Sequence, residues 1–184
     1  MVNGLTYWHR VWKDSYDTRI IPVLGDLSRP LLGMPESEFL KLAETADLII
    51  HNGAVVHWLL PYENSKPANV SGTVEVFRLA AAVKLKPVHY VSTTSVFDNS
   101  HYSSGLLDED EVIAHYPESG GYGQSKWVSE RVAELARERG IPISIYRPGY
   151  ISGDETNGIW TTDDFLCRVI KVTNFCEMFD LTSL

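Results

Sequence analysis

The stretch "GGYGQSKWVSERVAELARERGIPISIYRPGYISG", residues 120–153, moves from one kind of periodicity to another. From Ser125 to Gly140 it reads as a helix, with strong helix formers, an apolar stripe of Val128, Val132 and Leu135, and a glycine stop. From Ile141 it reads as a strand, broken by Pro148-Gly149. The same alternation continues outward. Upstream, "PVHYVSTTSVF" (87–97) is a strand ending in hydroxyls. "NVSGTVEVFRLAAAVK" (69–84) is a helix with Val70, Val74, Phe77 and Ala81 on one face. "DLIIHNGA" (47–54) is a buried strand running into a turn, and "PESEFLKLAETA" (35–46) is a helix with Phe39, Leu40 and either Leu42 or Ala43 on one side. "RIIPVLGDL" (19–27) reads as a strand that Pro22 marks as an edge. Downstream, "DDFLCRVIKVTNF" (163–175) reads as a helix. Alternating strands and helices predict an α/β fold, a Rossmann-type parallel sheet flanked by helices. In such sheets ligands bind beyond the carboxyl ends of the strands. Asp26, Asn52, Thr93 and Arg147 fall there.

Tyr122 and Lys126 lie four apart where the 125–140 helix starts, a spacing that puts them on one helix face. A phenol titrates near ~10, and a neighbouring cation favours its ionised form. The pair therefore reads as a general acid for a carbonyl oxygen that gains negative charge. Gly120, Gly121 and Gly123 permit close backbone approach. The "STTS" run ends the preceding strand at the same sheet edge; Thr93 is the chosen hydroxyl donor to the carbonyl, with Thr94 and Ser95 as alternatives. By itself, Tyr-x-x-x-Lys is a common helix-surface spacing, so its neighbours decide.

The chain has 184 residues, 44% hydrophobic and 22% charged, which suits one globular domain. A formal net charge of -8 argues against non-specific nucleic-acid binding. The two cysteines, Cys167 and Cys176, have neither metal nor redox spacing and suggest a reducing, cytoplasmic setting. The six histidines form no ligand cluster, and no apolar run reaches the ~20 residues of a membrane span.

The motifs "GDL", "DLIIHNGAVVHW", "PYENSKPANVSGT", "VHYVSTTSVF", "GYGQSKWVSE", "IYRPGYISG" and "TDDFLCRVIK" resemble, in order, the extended short-chain dehydrogenase/reductases. Within that group the chain is similar to the thioester reductase domains of non-ribosomal peptide synthetases, polyketide synthases, aminoadipate reductases and carboxylic acid reductases. The resemblance runs from about residue 19 to 171. It implies Tyr122 as proton donor, Lys126 as its pKa-lowering and ribose-binding partner, and Thr93 as holder of the carbonyl. It places Asp26 and Leu27 beside the adenine, Asn52, Gly53 and Ala54 along the cofactor trough, and Pro148 beside the nicotinamide. The implied reaction uses NADPH, with NADH as the alternative. It reduces an acyl thioester on a carrier-protein phosphopantetheine arm to an aldehyde, or further to an alcohol.

The glycine-rich turn that cradles the pyrophosphate in that family has no counterpart in this sequence; Gly4 and Gly25 are isolated. If 19–27 is the third strand and 47–51 the fourth, the two that normally lie between them are missing. The expectation is a fragment of a larger reductase, a single partial domain over 1–184 without the first two strands and most of the C-terminal substrate lobe. Its bare sheet edges would invite self-association. Two rivals stand beside the reductase: a nucleotide-sugar epimerase or dehydratase of the same superfamily, which "TTDDFLCRVIK" disfavours, and a non-catalytic remnant that binds a partner. Among the smaller features, Asn69 suits a helix N-cap. Arg147 reads equally as a ligand contact or an ion pair, His57-Trp58 as loop packing in preference to the lining of a substrate pocket, and 106–112 as a solvated acidic loop. Trp8 and Trp12 read as one helix face.

Overall fold

A computed structural model describes residues 7–8, 10–57, 59–102, 106–109 and 114–178. Residues 24–149 form one compact unit; residues 1–23 with 150–184 form another.

The larger unit carries the sheet. Helix α1 (Glu36–Thr45) leads into β1 (Ile49–His51). Helix α2 (Tyr62–Lys66) runs through a π-turn (Pro67–Ser71) into α3 (Gly72–Ala81). Strand β2 (Val88–Val91) ends in a 3-10 turn (Thr94–Phe97); α4 (Gly121–Glu138) and β3 (Ile143–Tyr146) follow. The strands pair in the order β1-β2-β3, all parallel, with Ile49 opposite Val88 and Val88 opposite Ile143.

The expected strand over 19–27 does not form. Residues 20–26 make no ladder, and Leu24 is 94% exposed. A strand needs a neighbour for its backbone groups, and among the described residues none is offered. The strands expected over 87–97 and 141–153 shorten to β2 and β3, the stretches that share a ladder.

Core packing corrects three apolar stripes. In α1 Phe39 and Ala43 are buried, but Leu40, one residue on from Phe39, turns to the outer side and is exposed. In α3 the buried residues are Val76, Phe77, Leu79 and Ala80, whereas Val74 is partly exposed. The π-turn is the reason: an i→i+5 turn inserts a residue and rotates everything after it. In α4 the buried face is small and polar, with Ser125, Lys126, Ser129, Glu130, Ala133 and Ala136; Leu135 is largely exposed. Small side chains let this helix approach the sheet closely. Ala133 and Ala136 join Val76, Phe77, Ala80, Val88, Tyr90 and Ile143 in the main core. Met34, Phe39, Ala43 and Leu79 form a second cluster under α1.

Lys86 is entirely buried at the carboxyl end of α3. Its ammonium donates to the carbonyls of Leu79 (3.1 Å), Ala82 (2.8 Å) and Lys84 (2.7 Å). A cation satisfying the last carbonyls of a helix also complements its dipole.

In the other unit, α5 (Phe165–Met178) starts where Asp164 Oδ1 accepts from the Leu166 amide at 2.9 Å. Trp8 and Trp12 share no helix face: residues 10–13 are not helical, and the Trp12 ring N–H donates to Asp17 at 2.8 Å. No described residue of this unit is buried. No helix among the described residues is long and apolar enough to cross a membrane.

Candidate active site

The carboxyl ends of β1, β2 and β3 open on one side of the larger unit. Thr93 follows β2 in extended conformation and caps the 3-10 turn, its Oγ1 accepting from the Ser95 amide at 3.2 Å. The hydroxyl lies near enough to the Tyr122 phenol to draw it downward. Of the three glycines around Tyr122, two serve close approach. A side chain at Gly121 would strike the backbone of Leu60, Pro61 and Tyr62, and one at Gly123 would lie 2.8 Å from the Ser95 carbonyl oxygen. Gly120 adopts φ 78°, which turns the chain into α4. The helix start is thus pressed between the 60–62 loop and the turn after Thr93.

Lys126 is 3% exposed. Its Nζ donates to the Val91 carbonyl at 2.7 Å and lies 4.2 Å from the centre of the Tyr90 ring. Burial pulls this ammonium down to about 8, while Glu130, one turn further on, favours the charged form. Burial pushes the Tyr122 phenol above its usual range, and the Thr93 hydrogen bond draws it part of the way back. The Lys126 ammonium is engaged by the Val91 carbonyl and the Tyr90 ring.

Asn69 is not an N-cap. The helix begins earlier, at Tyr62, and Asn69 sits buried in the π-turn. Its Oδ1 accepts from the Val55 amide at 2.7 Å; its Nδ2 donates to the Val55 carbonyl (3.0 Å) and to Ser125 Oγ (2.9 Å). Its carbonyl accepts from the hydroxyls of Thr73 (2.6 Å) and Ser129 (2.8 Å). Since the Thr73 hydrogen is committed there, His51 Nε2, 3.0 Å from Thr73 Oγ1, must be the donor. His51 is neutral: burial first, then the Lys126 charge, pull it down to about 4. This network ties the loop after β1 to the start of α4.

Arg147, at the end of β3, resolves as an ion pair. Its Nη2 lies 2.9 Å from Oε2 of Glu130, which is completely buried, and its Nη1 donates to the Glu109 carbonyl at 3.1 Å. The guanidinium stands 5.3 Å from the Phe97 ring centre. His57 is exposed, its Nδ1 accepting from the Leu59 amide. Trp58 and residues 110–112 lie outside the described residues, as do the side chains from 174 on, which include Cys176. Cys167 is a free thiol.

Of the residues expected along the cofactor, Leu27 and Gly53 are brought into contact. Leu27 wedges between two glycines: a Cβ on Gly53 would meet Leu27 Cδ1 at 2.7 Å, and one on Gly72 would meet its carbonyl oxygen at 2.5 Å. The Asp26 carboxylate is exposed, accepting from the Ser28 amide (2.9 Å) and hydroxyl (2.6 Å), with Arg29 at 3.2 Å. Asn52 and Gly53 are exposed, and Ala54 is half-buried. The Pro148 carbonyl accepts from the Thr94 amide at 3.1 Å, which brings the end of β3 beside the Thr93 hydroxyl. A glycine-rich phosphate cradle is absent among the described residues.

Sequence spacing alone overlooked Tyr90, His51, Ser125 and Glu130. Glu130 had a signal, since it continues the four-residue spacing of Tyr122 and Lys126. Asn69 had one too, in Pro67 two residues earlier, which disturbs a helix.

A parallel sheet with flanking helices and a polar strand-end site places the chain among the Rossmann-type NAD-binding proteins. The chain belongs to the family described as male sterility protein, an NAD-binding family whose model matches residues 3–179. It is 41% identical over 180 residues to the L-2-aminoadipate reductase of Saccharomyces cerevisiae, covering 91% of this chain and 13% of that protein. The crystal structure of the terminal R domain from the myxalamid PKS-NRPS biosynthetic pathway superposes with a TM-score of 0.82 at 43% identity. That match covers 92% of this chain and 42% of the other. A UDP-glucuronic acid 4-epimerase from Bacillus cereus, in complex with NAD, aligns at TM-score 0.60 and 24% identity over 79% of this chain and 44% of its own, a likeness of fold alone.

Proposed function

We propose that the chain supplies the proton-donating part of an NADPH-dependent reductase that converts a carrier-bound acyl thioester to an aldehyde. The observation that supports this reading is the Thr93 hydroxyl beside the Tyr122 phenol at the end of β2, with Lys126 one helical turn from Tyr122 and buried against the Val91 carbonyl. The nicotinamide would supply a hydride to the thioester carbonyl carbon. Thr93 and Tyr122 would hold the carbonyl oxygen, and Tyr122 would pass its proton to that oxygen as negative charge develops. The resulting hemithioacetal then loses the pantetheine thiol and leaves an aldehyde; a second round would give the alcohol. Asp26, Leu27 and Asn52–Ala54 would line the dinucleotide, Pro148 would border its nicotinamide, and Lys126 would reach its ribose once freed from Val91. A phenol raised by burial favours its protonated form, as a donor requires.

The direct test replaces the aligned segment of the myxalamid R domain with residues 24–149 and incubates the chimera with an acyl-pantetheinyl thioester and NADPH. Aldehyde or alcohol in the product mass spectrum is expected. A chimera that binds NADPH yet forms neither, where the unaltered R domain does, removes the proposal.

A further inference from the structure

Tyr90 has no part in the reaction just described, yet it touches three elements of the site. It lies on β2, entirely buried, with the Phe77 ring at 6.4 Å on one side and the His51 ring at 5.5 Å on another. The Lys126 ammonium stands over its face, 4.2 Å from the centroid. The Tyr90 hydroxyl makes no hydrogen bond; the nearby Thr73 hydroxyl donates to the Asn69 carbonyl, and the Ser129 hydroxyl is shared between the Asn69 and Ser125 carbonyls. An ammonium buried this deeply has lost its water, and one carbonyl replaces only part of it. The negative face of an aromatic ring is the remaining partner, and such contacts strengthen when desolvated.

We propose that Tyr90 is a positioning residue for Lys126: its ring face, not its hydroxyl, holds the buried ammonium beside the Val91 carbonyl. The proposal rests on the reading of Lys126 as the site lysine, but its test observes Lys126 directly and needs no turnover. The titratable groups that act on the ammonium are Glu130 on α4 and the neutral His51 on β1, with Arg147 after β3 already paired to Glu130.

The experiment titrates the Lys126 Cε and Nζ resonances by NMR in the 184-residue chain labelled at lysine, with Lys126→Arg for assignment. Tyr90→Phe keeps the ring and deletes an unpaired hydroxyl. It is expected to leave the titration midpoint where it is, with an unfolding midpoint equal or higher. Tyr90→Leu removes the ring and is expected to lower the titration midpoint by about one unit. Phenylalanines bearing one to three fluorines at position 90 keep the shape while weakening the ring face, and should lower it stepwise. A Tyr90→Leu chain that folds and titrates like the parent overturns the proposal, as does Tyr90→Phe falling as far as Tyr90→Leu. If Tyr90→Leu does not fold, the fluorinated series decides, and a flat series overturns it. Failure of the chimera to make aldehyde would leave every one of these readings intact.

Discussion

Tyr122→Phe removes a single hydroxyl from a half-buried ring that otherwise keeps its packing. In the chimera it should reduce turnover by roughly 10²–10⁴-fold, with no change in the thermal midpoint. Parent-level turnover would rule out proton donation by this phenol. Lys126 sets the pH dependence. Its charged form is lost as pH rises through about 8, so turnover that needs the cation should decline above that pH. Stability moves the other way. Between about 8 and the ordinary lysine value the unfolded chain binds more protons, and stability rises with pH. His51 governs the acid side, with a folded value of about 4 against 6.5. As pH falls from 6.5 towards 4 the unfolded chain gains a proton the fold refuses, and about 3 kcal/mol of stability is lost. His51→Gln should flatten that decline in urea unfolding followed from pH 7 to 4; an unchanged slope would place the acid sensitivity elsewhere. At this scale residue types were legible but partners were not. The four-residue spacing brings Tyr122 and Lys126 to one helix, yet which acceptor the ammonium chooses depends on β2, 35 residues upstream of it at Val91.

The start of α4 is interlocked with the loop before α2. Gly121→Ala would drive a methyl group into the backbone of residues 60–62, which cannot swing aside as a side chain could. A loss of about 1–3 kcal/mol is expected in chemical denaturation. Gly149→Ala, with nothing within 4 Å, should cost far less. Equal losses would mean that the helix start is not clamped. Helices were readable from composition and stops: 35–46 and 125–140 each contain or overlap the helix that forms. Their buried faces were less so. A π-turn shifts the phase of α3, and α4 packs through serine and alanine, whose burial carries little periodic signal. The 19–27 run has strand composition but no strand, because pairing is a property of the sheet and not of the segment.

The two units differ in how much they bury. Every buried described residue belongs to 24–149, which holds the sheet and both apolar clusters. Hydrogen exchange should therefore be slowest in β2 and the middle of α4, and near the unprotected rate in residues 150–173. Comparable protection in both would contradict this division. The α/β class was legible from alternation alone, whereas the division into units was not, since it depends on which contacts close. The chain spans 42% of the myxalamid R-domain chain and 13% of the yeast reductase. One feature of the larger unit reaches beyond catalysis. Lys84 and Lys86 are two residues apart, but the first holds an exposed bridge to Asp47 while the second is sealed under three carbonyls. An amine-reactive tag, or an acetylating enzyme, would mark the first and pass over the second until the chain came apart, so the ratio of the two labels would count unfolded molecules in any mixture.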